Sequence, residues 1–98
     1  MKTGTELIAD ERQRQITEEG WTAEHDEQHN KGELAKAGAS YALAEDMREY
    51  FHDNDIVPPT WPWDEKWWKP TPDYRVRELV KAGALIAAEI DRLQRLER

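Results

Sequence analysis

The most constraining feature of this sequence is the stretch TWPWDEKWWKP at residues 60–70, which places four tryptophans within eight positions. Together with Pro58 and Pro59 it contains too many prolines for a strand or a long helix, so it predicts an extended or turned connection. Asp64 is placed to cap one helical turn that carries Trp67 and Trp68. Three interpretations are open: a plug of the core, a platform for ligand stacking, or a contact surface for a partner.

The chain around this segment is small and has a lean core. It has 98 residues, of which 38% are hydrophobic and 36% charged. A chain of this length forms one domain, so we expect a single helical domain over residues 1–98, with oligomerisation as a supplement to its thin core. The net charge of −7 argues against direct DNA or RNA binding, because phosphate contacts need a basic surface.

The cysteine content and the apolar runs indicate in which compartment the protein is expected. There is no cysteine, which excludes disulfides and thiolate chemistry. No run approaches 18 apolar residues, so we expect no membrane partner. The sequence predicts a soluble protein of the cytoplasm.

The remaining sequence favours an all-α fold with three main helices and the tryptophan-rich connection capping the bundle. Thr3 with Glu6 forms a capping-box pattern, and Asn30 with Glu33 suggests a second. Thr71 is the predicted N-cap of the last helix, with Pro72 at its first position. No segment alternates with the period of a strand. The predicted helices cover residues 3–20, 30–51 and 73–98.

The motif ERQRQ at residues 11–15 is unusual because it puts polar side chains on the stripe that should face the core. The favoured interpretation is a weakly amphipathic surface helix that docks only at its ends. The alternative is a buried polar network, in which Arg12 or Gln15 reaches a carboxylate, a backbone group or a ligand.

Two helical segments repeat one another, ELAKAGA at 33–39 and ELVKAGA at 78–84. Their glycines, Gly38 and Gly83, predict close helix contacts within one chain or across an interface. The row Leu79, Ile86 and Leu93 fits a helix buried along its length, including at a dimer interface. We therefore expect a homo-oligomer.

The segment HDEQH places His25 and His29 four residues apart, which is the spacing of a zinc-binding histidine pair. Asp26 occupies the position of the general-base glutamate in H-E-x-x-H, but it is one methylene shorter. We expect these groups to form hydrogen bonds and caps, and we expect no metal and no cofactor.

An enzyme of the all-α nucleotide pyrophosphohydrolase class is considered because carboxylates are plentiful. That class pairs glutamates on one helix with an E-x-x-D pair on another to gather Mg²⁺. Here Glu18 and Glu19 run into Gly20, and the last helix has no E-x-x-D. The helical architecture resembles that class but its catalytic pattern is missing, so we assign no catalytic residue.

The tryptophans can cover one end of a small bundle, and this structural interpretation is favoured. Indoles left exposed can stack on a base, with Lys66 and Lys69 beside them to meet a phosphate. The candidate ligand-binding residues are Trp61, Trp63, Trp67, Trp68, Lys69, Arg12, Gln15, His25 and His29.

The segments ERQRQITEEGWTAEHDEQH, GELAKAGASYA, WPWDEKWWKP and LVKAGALIAAEIDRLQR together resemble a family of small uncharacterised proteins of tailed phages and prophages. The resemblance spans nearly the whole chain. It implies expression in the cytoplasm of an infected bacterium, among accessory genes that act on host defence or metabolism. It assigns no catalytic residue.

The leading hypothesis is a non-catalytic phage accessory protein, with counter-defence as its setting, that binds and sequesters a small nucleotide-like ligand. The first alternative is an acidic inhibitor of a host protein or a mimic of nucleic acid. The second is an enzyme of the pyrophosphohydrolase type.

Overall fold

The computed structural model describes residues 1–97, and within them it contains five α-helices, one 3-10 turn and no β-strand. The all-α class is thus confirmed, while the expected count of three main helices is corrected. Arg98, at the end of the predicted third helix, lies outside the described residues. None of the helices is long and apolar enough to cross a bilayer, as judged over residues 1–97. The elements are α1 (Gly4–Glu18), α2 (Ala23–Glu27), α3 (Glu33–Ala42), α4 (Glu45–Asp53), the 3-10 turn Glu65–Trp67 and α5 (Arg75–Leu96).

The ends of α1 follow local rules. The Thr3 hydroxyl accepts a hydrogen bond from the Glu6 amide at 3.2 Å, and the Glu6 carboxylate accepts one from the Thr3 amide at 2.9 Å, which confirms the capping box. Past the other end, Gly20 adopts a left-handed conformation with φ of 75°. The following amide, of Trp21, donates to the Gln15 carbonyl, and the Trp21 ring packs back against the core.

The prediction of one helix over residues 30–51 is wrong in two respects: the helix starts later, and it is interrupted in the middle. It begins after Gly32, with φ of 84°, and the Glu33 carboxylate accepts from the Lys31 amide rather than completing a box with Asn30. The chain then extends at Leu43 and separates α3 from α4.

The break between α3 and α4 has a tertiary cause. The Arg75 guanidinium donates to the Tyr41 carbonyl at 2.9 Å and also to the Leu43 carbonyl. These bonds satisfy carbonyl groups that a continuous helix would bond to its own amides. An arginine more than 30 residues away in sequence therefore supports the end of α3.

The start of α5 is also later than predicted. Thr71 begins a turn, with the Tyr74 amide donating to its carbonyl at 2.9 Å, and the helix starts at Arg75. The Thr71 amide donates instead to the buried Glu78 carboxylate at 3.0 Å.

The core lies between α3 and α5 and is built from small residues. Its buried members are Leu34, Ala37, Tyr41, Ala82, Leu85 and Ala88, and the rings of Trp21, Trp61, Trp63 and Trp68 pack against them. The neighbouring Trp67 is 57% exposed. Most of the tryptophan-rich connection therefore covers the core, and Asp64 caps its 3-10 turn through the Lys66 amide as predicted.

Both repeated glycines make contacts within the chain. A Cβ atom on Gly38 would lie 3.0 Å from Ile86 Cγ1, and one on Gly83 would lie 2.5 Å from Ile8 Cδ1. The expectation that the row Leu79, Ile86 and Leu93 is buried is wrong for the single chain. These side chains are 46%, 43% and 45% exposed.

Candidate functional site

A cavity of about 620 Å³ lies between α1, the α2 region and the tryptophan-rich connection. It gathers residues that are far apart in the sequence. Two of the nine candidate residues, Arg12 and Trp68, do not line it. The seven candidates that line it are Gln15, His25, His29, Trp61, Trp63, Trp67 and Lys69.

One wall of the cavity continues into an unbroken series of aromatic rings, which we call the aromatic row. Each ring contacts the next, with centroid separations between 4.7 and 5.7 Å. Its two imidazoles, of His25 and His29, lie between the indoles of Trp21 and Trp63. In order, the row is Trp21, His25, His29, Trp63, Trp61, Tyr41 and Trp68.

The adjacent indoles Trp67 and Trp68 point in different directions. The Trp68 ring stacks on the Tyr41 ring, with their centroids 4.7 Å apart. The Arg48 guanidinium carbon lies over the Trp68 ring, 5.2 Å from its centroid. Trp67 faces outward at the cavity, with the Lys66 ammonium 5.3 Å from its ring centroid. Trp68 is therefore part of the core cover, whereas Trp67 is available to a ligand.

The polar end of the cavity comes from ERQRQ, and the surface-helix interpretation of this motif is wrong. Glu11 is only 3% exposed and accepts hydrogen bonds from Arg14, Arg77 and Gln15. Burial alone would raise the pKa of Glu11, but the hydrogen bonds from Arg14 and then Arg77 outweigh burial and lower this pKa to about 2. The motif forms a buried polar network with an ionised carboxylate at its centre.

This carboxylate fixes the orientation of the Gln15 amide. Gln15 is 2% exposed, and its Nε2 donates to Glu11 Oε2 at 3.1 Å. The reverse orientation would place the amide oxygen against a carboxylate, which is unfavourable. Oε1 is left buried without a hydrogen-bond partner in residues 1–97, and Trp63 Nε1 is in the same condition. Both atoms are buried from solvent, so neither is presented to a ligand in the cavity.

Three acidic and three basic residues line the cavity, so its lining has no net charge: Glu11, Glu19 and Asp64 against Arg14, Lys69 and Lys81. Lys69 and Lys81 form no salt bridge within residues 1–97, whereas Arg14 pairs with Glu11 and Glu19. Lys81 Nζ donates to the Lys69 carbonyl at 2.9 Å and lies 5.3 Å from the Tyr41 centroid. Burial lowers the pKa of Lys81, and the nearby Arg77 lowers it further. An anion at this point would stabilise the charged ammonium.

The remaining candidates have structural partners. Asp26 is fully buried, and it accepts from Arg12 Nη2 at 3.1 Å and lies 3.1 Å from His25 Nδ1. His29 Nδ1 lies 3.6 Å from the Glu33 carboxylate. Within residues 1–97, no three His, Cys, Asp or Glu side chains are grouped to hold a metal ion.

Several residues of the cavity were not predicted from the sequence. Glu11 could have been predicted from the sequence, because it lies one helical turn before Gln15 on the same face of α1. The sequence does not indicate that Arg14, Tyr41 and Lys81 line the cavity, because their positions there depend on how α1, α3 and α5 pack together. Comparisons of this chain with protein-family models, curated proteins and solved structures found no match.

The chemistry of this arrangement is recognition of a flat ring and an anionic group. Indole and imidazole faces stack on planar rings, and the lysines attract negative charge.

Proposed function

We propose that this protein binds and sequesters a small nucleotide-like ligand in the cavity, without converting it. The observation that carries this proposal is the presence of Lys69 and Lys81, which form no salt bridge within residues 1–97, beside a row of stacked aromatic rings. In a chain with a net charge of −7, two such lysines in one cavity favour a small anion over a long polyanion.

The volume of the cavity agrees with a ligand of this size. About 620 Å³ lies within the range of roughly 300–1,000 Å³ that small-molecule sites occupy. The base would lie against the aromatic row, and the phosphate would meet Lys69 and Lys81.

The setting of this function follows from the resemblance to small phage proteins. A phage accessory protein that captures a nucleotide signal in the bacterial cytoplasm would withdraw it from host defence. Sequestration needs tight binding and no turnover, which suits a site built from stacking and charge.

Calorimetric titration with mononucleotides and cyclic nucleotides tests the proposal. We expect at least one of them to bind. Lys81→Gln should weaken that binding by about 10-fold or more, because a charged contact to phosphate is lost. The same variant should leave binding of the matching nucleoside nearly unchanged. Trp63→Ala should weaken both ligands, by about 1–3 kcal/mol if a base stacks there.

Lys66→Gln is the matched control, since Lys66 lies beside Trp67 and does not line the cavity. Equal losses in Lys66→Gln and Lys81→Gln would indicate a general charge effect and would contradict the site. If no nucleotide binds to wild type, the acidic host-protein inhibitor becomes the leading function. Release of pyrophosphate or phosphate with Mg²⁺ would instead support the enzyme alternative.

A further inference from the structure

Helix α4 turns almost all of its side chains to solvent. Arg48 is its only buried residue, and Phe51 is half-buried. The Arg48 guanidinium donates to the Glu78 carboxylate of α5 and lies over the Trp68 ring. Helices of a small domain usually bury a stripe of apolar residues. In α4 the buried side chain is an arginine instead, and apolar side chains remain outside.

An apolar stripe runs along the exposed side of α4 and continues past its end. Met47 and Tyr50 lie three residues apart, which places them on one side of the helix. Beyond the helix, the Ile56 amide donates to the Phe51 carbonyl at 2.8 Å, and Asp55 is left-handed with φ of 54°. This is a Schellman motif, which brings Ile56 back beside the last turn. The three side chains of the stripe, Met47, Tyr50 and Ile56, are between 42% and 59% exposed.

Carboxylates without a partner border this stripe. Residues 45–55 contain five acidic residues and one basic residue, so this short stretch carries −4 of the net charge of −7. The basic residue, Arg48, pairs with Glu78 of α5, and none of the five carboxylates forms a salt bridge within residues 1–97. Two of the five lie three and four residues from Tyr50 and are its neighbours on the helix surface. We call the stripe and its nearest carboxylates the α4 face, which consists of Met47, Tyr50, Ile56, Asp46, Glu49 and Asp53.

The carboxylates of the α4 face are not explained by the stability of the helix itself. Acidic residues are favourable in a first turn, but Asp53 lies at the end of α4, where the helix dipole is negative. Glu49 lies three residues after Asp46 and four before Asp53, and like charges at these spacings destabilise a helix. Lysines or arginines supplied from outside the chain relieve both effects. The charge of the α4 face therefore indicates what kind of surface can cover it.

We propose that the α4 face binds a basic amphipathic segment of a partner protein. The apolar side of that segment covers the apolar stripe, and its lysines or arginines pair with the carboxylates beside the stripe. The same charge disfavours other occupants, because nucleic acids and anionic bilayers are repelled and a second α4 face would bring like charges together. The α4 face shares no residue with the cavity, so this proposal does not depend on nucleotide binding.

Fluorescence anisotropy with a labelled synthetic peptide of leucine and lysine, arranged at the helical period, tests the proposal. We expect wild type to bind this peptide and not the same peptide with glutamate in place of lysine. Tyr50→Ser should weaken binding by about 10-fold or more, because buried aromatic side chains dominate interfaces of this kind. Tyr74→Ser is the matched control and should bind like wild type, since Tyr74 is 61% exposed but lies outside the α4 face.

The contribution of charge is tested separately with two double variants that change the net charge equally. Glu49→Gln with Asp53→Asn removes two carboxylates from the α4 face and should weaken binding by about 5-fold. Asp73→Asn with Glu97→Gln removes two exposed carboxylates elsewhere and should change binding little. Circular dichroism should show that all variants are folded, because every substituted side chain is exposed.

Three outcomes overturn the proposal. The first is a wild type that does not bind the peptide of leucine and lysine. The second is an equal loss of binding in the variants of the α4 face and in their controls, which indicates a general attraction to an acidic protein. The third is a wild-type dimer in sedimentation velocity that Tyr50→Ser dissociates, because a second copy of the chain then covers the α4 face.

Discussion

At the scale of single residues, the fate of a side chain depends on partners that lie far away in the sequence. Glu11 is charged and lies on the stripe of α1 that should face the core, so the sequence alone favoured a helix that docks only at its ends. It is buried because Arg77, 66 positions later, donates to it at 2.6 Å. A buried carboxylate is stable only when it is hydrogen-bonded and paired, and Glu11 meets both conditions.

The ionisation of Glu11 makes a prediction about pH. Its pKa is lowered in the folded protein from 4.5 to about 2. The stability that it contributes is fully present above about pH 4.5 and is mostly lost as pH falls through 2. We expect Glu11→Gln to lower the free energy of unfolding at pH 7 by about 3 kcal/mol, because Arg77 loses its carboxylate partner and Arg14 loses one of its partners.

Urea denaturation at several pH values measures this effect as the difference between wild type and Glu11→Gln. The difference should narrow steadily from pH 5 to pH 2. The exposed Glu49→Gln serves as control and should differ little from wild type at any pH. If the difference in the free energy of unfolding stays constant down to pH 2, the buried network does not lower the pKa of Glu11.

At the scale of elements, the helices are brought together by small residues at specific contacts. Gly83 in α5 is touched by Ile8 of α1, and Gly38 in α3 lies against Ile86 and the Ala82 carbonyl of α5. Each glycine reduces the helix propensity by about 1 kcal/mol relative to alanine. The close approach that it permits offsets that loss.

Gly83→Leu should therefore destabilise the protein. A leucine would overlap Ile8, and overpacking of this kind costs about 1–3 kcal/mol. Gly4→Ala is the matched control, because nothing lies within 4 Å of the added Cβ atom. Alanine also has the higher helix propensity, so this variant should be slightly more stable than wild type. Thermal melting distinguishes the two, and a harmless Gly83→Leu would contradict the close contact of α1 with α5.

At the scale of the whole molecule, α5 connects the cavity with distant parts of the chain. Lys81 and Leu85 of α5 line the cavity. The Glu78 carboxylate joins further parts of the chain to α5. It accepts hydrogen bonds from Arg48 of α4 and from the Thr71 amide in the connection, and Arg75 of α5 adds another.

Glu78→Gln should loosen α4 and the connection together. Burial alone would raise the pKa of Glu78, but hydrogen bonds from Arg48 and the Thr71 amide outweigh it, so the folded pKa is lowered. Breaking such a buried pair costs about 3–5 kcal/mol. Amide hydrogen exchange should show faster exchange in residues 45–53 and 60–71 than in α1, and uniform loss of protection would contradict this local role.

The sequence by itself determined the features that depend on near neighbours. The helical class, the capping box of Thr3 and the turn capped by Asp64 all follow from interactions within a few residues. Seven of nine candidate ligand-binding residues also line the cavity, because unusual aromatic and polar residues in this chain share one site. Ligand binding itself stays a prediction.

Only the tertiary structure decided where distant groups meet. It buried the ERQRQ motif through Arg77, separated α3 from α4 through Arg75, and left Leu79 and Leu93 half-exposed. Local sequence rules cannot supply these results, because the hydrogen-bond partners and the packed faces come from segments that are far apart along the chain. Burial of a charge is decided by whether such a partner arrives, and that depends on the packing of whole helices.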